Sequence, residues 1–88
     1  MPDKAARIRI WETVFSRGVL TENLLPERLA QLNVTGAVIR NLALRACFLA
    51  AAQGPGTAVT MAHLRKAAVR EYRMLGQPLS DLELDGWT

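Results

Sequence analysis

Thr35-Gly36-Ala37-Val38-Ile39-Arg40-Asn41-Leu42-Ala43-Leu44-Arg45-Ala46-Cys47-Phe48-Leu49-Ala50-Ala51-Ala52 is the stretch that decides the fold. Ile39, Leu42, Ala43, Ala46, Leu49 and Ala50 recur at spacings of three and four, which is the inner stripe of an amphipathic helix. Thr35 is the natural N-cap, because its hydroxyl can accept from a first-turn N–H. The run Ala50-Ala51-Ala52 combines high helix propensity with little bulk, so a neighbour can approach it closely. Gln53-Gly54-Pro55-Gly56 must end the helix.

Working outward, Thr60 caps a further helix predicted over about 61–75. Leu64, Ala68, Tyr72 and Leu75 define its inner side, with Met61 at its start. Gly76 is its expected C-cap glycine and Pro78 bars resumption. Ala58-Val59 is expected to be briefly extended. On the other side, Thr21-Glu22-Asn23 is expected to cap a short helix over 25–32, with Leu25, Leu29 and Leu32 inward and Pro26 tolerated in the first turn. A first helix is expected over 4–15, capped by Asp3 and stopped by Gly18. Its apolar line is Ile8, Trp11 and Phe15; Arg7, Arg9 and Glu12 fall off that line. No alternating run is long enough for a sheet. The fold class expected is all-α, a small four-helix bundle over residues 1–79, followed by an acidic tail over 80–88.

Bulk properties fit one small globular domain. The chain has 88 residues, half of them apolar, and a formal net charge of +3. Nine of its eleven basic residues are arginine, a side chain suited to bidentate contacts with carboxylate or phosphate. Asp81-Leu82-Glu83-Leu84-Asp85 makes the tail acidic against a basic body. No apolar run approaches a membrane span, and Met1-Pro2-Asp3-Lys4 lacks the apolar stretch of a signal peptide, so a cytoplasmic domain is expected.

Few residues offer chemistry. The one histidine, His63, has no companion ligand at helical spacing, so a structural or solvent-facing role is expected. Cys47 lies mid-helix between Ala46 and Phe48 and reads as a packed small hydrophobe. Gly54-Pro55-Gly56 lacks the Lys-Ser/Thr that completes a phosphate-binding loop and is a turn. The carboxylates are scattered, and no acid–base pair stands out. The informative feature is the start of the third helix, where Gly36 and Ala37 bring backbone N–H groups and almost no bulk. Arg40 lies one turn after Ala37, on the same side of the helix; the alternative is an ordinary capped helix whose glycine merely tightens the entry.

From Pro2 to about Leu79, the chain resembles the C-terminal small domain, or lid, of AAA-family ATPases. Pro2-Asp3 with Arg7, Ile10 and Trp11 resembles the first lid helix. Leu29-Ala30 through Leu32-Asn33-Val34-Thr35-Gly36-Ala37-Val38-Ile39-Arg40-Asn41 resembles the segment leading into the third. Ala43 to Ala51 resembles the alanine-rich helix that follows. Val59-Thr60-Met61, His63-Leu64, Ala67-Ala68 and Glu71-Tyr72 resemble the last helix. Within the superfamily, the likeness is to bacterial ATPases of phage-tail-like contractile particles.

The resemblance implies that Gly36 and Ala37 line the adenine side of an ATP site, with Arg40 beside them. Mg²⁺ and the Walker motifs would belong to a large nucleotide-binding domain. Neighbouring subunits of a hexamer would be further partners, with the lid not catalytic and monomeric by itself. Many branches carry a sensor arginine directly after the Gly-Ala pair. Here that position is Val38, which argues against direct sensing of the γ-phosphate.

The residues also fit two other functions. One is a helix-turn-helix-like DNA-binding module with Arg40 and Arg45 on the recognition helix. The other is a protein-interaction domain using the Leu82–Trp87 tail as a docking peptide.

Overall fold

The computed structural model describes residues 2–15 and 18–77. Four helices follow one another: α1 (Lys4–Thr13), α2 (Pro26–Leu29), α3 (Gly36–Gln53) and α4 (Met61–Met74). Among the described residues there is no strand, only an isolated parallel bridge between Thr21 and Val59. The protein is thus a small all-α bundle. None of its described helices is long and apolar enough to cross a membrane.

α3 and α4 are the central pair, and the other elements close over them. Leu29, Leu32, Ile39, Leu42, Val59 and Leu64 are the largest fully buried side chains. Ala30, Ala46 and Ala68 are completely covered, so the backbones come close where only methyl groups intervene. On α3, Ile39, Leu42, Ala43, Ala46 and Ala50 are buried as their spacing requires, while Leu49 is half-buried.

The helix ends are set by local chemistry. Asp3 accepts the Ala6 N–H at 2.8 Å, and Thr35 Oγ1 accepts that of Val38 at 3.2 Å. At the end of α4 the chain turns left-handed at Gly76 (φ 69°). There the Gly76 N–H donates to the Arg73 carbonyl and the Gln77 N–H to that of Tyr72, the paired bonds of a Schellman motif. Between α3 and α4, the Val59 N–H donates to the Leu20 carbonyl and the Glu22 N–H to that of Val59, both at 2.9 Å. This exchange pins the 18–25 loop to the connection leading into α4.

Several expectations are corrected. α1 ends at Thr13, with Val14 as its C-cap, two residues short of Phe15. α2 is a single turn of four residues, and Leu25 occupies the N-cap without a side-chain bond, so Thr21-Glu22-Asn23 does not cap it. Leu29 and Leu32 are buried as expected, but Leu25, outside the helix at its N-cap, is 46% exposed. Leu75 is the C-cap of α4 and faces outward, 54% exposed, since the inward register stops at Tyr72. The boundary at 79 and the acidic tail lie outside the described residues.

The largest correction concerns Arg7. It is buried, and its Nε donates to the Ala30 carbonyl at 2.9 Å. Its Nη1 donates to the Pro2 carbonyl at 2.8 Å and to Asn33 Oδ1 at 3.2 Å. A planar fork of donors makes this possible, and lysine has no equivalent geometry. Arg7→Ala is expected to destabilise the domain by about 1–3 kcal/mol, the cost of stranding a buried carbonyl acceptor. Arg7→Lys should recover only part of that loss. Urea unfolding of the two variants checks both, and equal stability of Arg7→Ala and wild type would contradict the role.

Candidate functional site

The start of α3 brings Gly36, Ala37 and Arg40 together. Thr35 has extended backbone (φ −74°, ψ 164°), so the helix begins abruptly at Gly36. Thr35 Oγ1 takes the Val38 N–H, and the Thr35 carbonyl takes the Ile39 N–H at 3.0 Å. The N–H groups of Gly36 and Ala37 have no partner among the described residues. No acidic residue stands in the first turn to balance the positive end of the helix dipole.

The three residues differ in accessibility. Ala37 and Arg40 are exposed, whereas Gly36 is half-buried. A methyl group on Gly36 would stand 3.6 Å from Ile10 Cδ1 of α1 and 3.8 Å from Arg40 Nη1, both ordinary contact distances. The Arg40 guanidinium therefore folds back over the helix start. It forms no hydrogen bond or ion pair among the described residues. The exposed start of α3 is thus positively polarised, with two N–H groups and a guanidinium open to solvent.

The other candidates are structural. His63 Nδ1 accepts the Thr60 N–H at 2.9 Å, which leaves the ring proton on Nε2 to donate to Gln53 Oε1 at 2.8 Å. The histidine thus takes the place of the glutamate in a capping box and ties the last residue of α3 to the first turn of α4. Burial pushes the Cys47 thiol upward from its ordinary value, which favours the protonated, unreactive form. No group of three or more potential metal ligands occurs among the described residues.

The outer face of α3 was not anticipated. Leu44 and Phe48 are 59% and 64% exposed, one turn apart, flanked by exposed Ala37, Asn41 and Ala51. Such an i, i+4 apolar pair was visible in the sequence but lies outside the inner stripe. For the DNA-binding reading, this face offers mainly apolar side chains where a recognition helix needs polar ones.

The fold and the helix start together define a small all-α bundle with one polarised, low-bulk helix N-terminus. Comparison of the chain with family models, curated proteins and solved structures finds no match in any of the three.

Because the space at Gly36 admits a methyl group, Gly36→Ala is expected to be neutral or to stabilise the domain by up to about 1 kcal/mol through helix propensity. Thr35→Ala should instead cost about 1 kcal/mol through loss of the cap. Thermal and urea unfolding of both variants measure the contrast. A Gly36→Ala loss above that of Thr35→Ala would mean the fold itself requires glycine there.

Proposed function

We propose that this chain is the C-terminal lid domain of an AAA-family ATPase and supplies the adenine-side wall of the ATP site from Gly36 and Ala37. The observation that carries the reading is the bare start of α3: two unengaged N–H groups, minimal side-chain bulk and the Arg40 guanidinium folded against them. The ordered likeness of residues 2–79 to such lids supports it. Catalysis would belong to the large nucleotide-binding domain, with Mg²⁺ held there. The lid contributes binding and orientation at the base and ribose, and Arg40 adds positive potential toward the phosphates or an adjoining subunit.

The exposed Leu44–Phe48 ridge supports the same reading. An apolar pair at helical spacing on an otherwise unpartnered face suits contact with a second domain, here the large domain or a neighbouring subunit of a hexamer. A lid of this kind couples nucleotide state to oligomer shape by moving as a body. The clamp from His63 to Gln53 and the shared α3–α4 core support such motion as a body.

Ala37 gives the cleaner test, because any side chain at Gly36 would meet Ile10, and a bulky one there disturbs α1 packing. Ala37 is exposed, so Ala37→Phe leaves the bundle intact while filling the space before the helix start. In the intact ATPase, this variant is expected to raise the KM for ATP at least tenfold, about 1.4 kcal/mol of lost binding, with the urea midpoint of the isolated domain unchanged. Unchanged KM and kcat would remove Gly36-Ala37 from the ATP site.

A further inference from the structure

α4 carries a second surface, apart from the start of α3. Arg65, Lys66, Arg70 and Arg73 are exposed, with exposed Ala62 and half-buried Val69 among them. At 100° per residue these positions share one face, turned away from buried Leu64, Ala67 and Ala68. None of the four cations makes a hydrogen bond or ion pair among the described residues. No carboxylate sits on the face itself: Glu71 and Glu22 border it, sharing grooves with Arg70 and Lys66 respectively. Lys66–Arg70 and Arg70–Arg73 stand at i, i+4 and i, i+3, so the helix sets like charges where opposite ones would stabilise it. Arg45 of α3 lines the groove beside Arg70 and continues the positive surface onto the neighbouring helix.

What can cover such a face follows from its composition. It holds no aromatic side chain on which an unstacked base could lie, so a single strand gains nothing there beyond charge. No hydroxyl or amide stands among the cations to pair with 2′-hydroxyls, the mark of duplex RNA. Nor does an exposed large apolar side chain interleave with them, which insertion into a lipid surface requires. Charge density points the same way. Four cations over the ~12 Å from Arg65 to Arg73 amount to one per ~4 Å. Each strand of a DNA duplex presents one phosphate per ~3.4 Å of axis. An acidic peptide in extended form offers one carboxylate per ~6.7 Å on a side, too sparse to match. Three of the four cations are arginine, whose planar fork takes two phosphate oxygens at once. We propose that the basic face of α4 binds the phosphate backbone of double-stranded DNA.

The contact positions the domain on a duplex and carries no base recognition. It differs from the helix-turn-helix reading, because α4 and not α3 makes it. It is also independent of the nucleotide reading, and either can fail without the other.

The test is fluorescence anisotropy of the full 88-residue chain with labelled duplex DNA, titrated between about 50 and 200 mM NaCl. Four phosphate contacts predict a slope of log Ka against log[NaCl] of about −3.6, an affinity loss of about 150-fold over that range. Arg70→Gln/Arg73→Gln should reduce the slope to about −1.8, and Arg65→Gln/Lys66→Gln should do the same. All four positions are exposed, and an unchanged urea midpoint verifies each fold. Lys4→Gln/Arg9→Gln removes as much charge from exposed positions on α1, which packs on α2 and α3, and should leave the slope near wild type. Two duplexes of unrelated sequence should bind alike, and duplex RNA and phosphatidylserine vesicles more weakly. A wild-type slope shallower than about −2, or an equal fall in the α1 variant, would overturn the proposal. So would duplex RNA or vesicle binding as tight as that of DNA, or a strong preference for one DNA sequence.

Discussion

The guanidinium of Arg7 reaches from α1 to the Ala30 carbonyl, the Pro2 carbonyl and the Asn33 side chain, and so joins three separate parts of the chain at one buried point. It satisfies the carbonyl at the end of the one-turn α2, which cannot saturate its own carbonyls over four residues. It also holds α1 so that Trp11, one turn along, enters the core and Ile10 lies against Gly36. The α3–α4 seam supplies most of the apolar burial. What Arg7 adds is direction: it fixes which side of α3's first turn is covered by α1 and which side stays open. A buried charge with several carbonyl and amide acceptors is tolerable where an isolated one is not.

Much of this was legible in the sequence because α3 and α4 each combine a threonine cap, a long inward stripe and a glycine stop. Independent local signals agree there, and such agreement makes a segment readable. α2 was legible only in part: Leu29 and Leu32 point inward as their spacing suggests, but four residues are too short to show a period, and Leu25 falls at the exposed N-cap. Arg7 was missed because hydrophobic periodicity treats a cation as an outward residue. Its position four residues before Trp11 was the available signal, placing both on one face. Leu75 misleads for a related reason: its spacing continues the stripe one step past Met74, where the helix ends.

At the candidate site, sequence reasoning placed Gly36, Ala37 and Arg40 near one another, and the structure brings them together. It could not foresee that the open side of Gly36 is half occupied by Ile10. That contact arises from α1 crossing over α3, a tertiary fact without local trace. Its effect is to distinguish the two small residues: Gly36 is half-buried, facing Ile10, whereas Ala37 is exposed. The folded-back Arg40 was equally invisible, because a side chain with several rotamers can point either along the helix or toward its start.

Under the lid reading, the two ends of α3 carry different tasks. Its first turn is electrically unbalanced and open, and its last residue is tied through Gln53 Oε1 to His63 in the first turn of α4. Between them lies an interior in which Leu42, Ala46 and Leu64 are fully buried between the helices. A pull on the Gly36 end by a bound nucleotide would therefore displace α3 and α4 as one unit. The outward Leu44–Phe48 ridge and the cationic face of α4 would move with them. Under that reading, a conformational signal leaves through the surface of the bundle, where Leu44, Phe48 and the α4 cations are exposed.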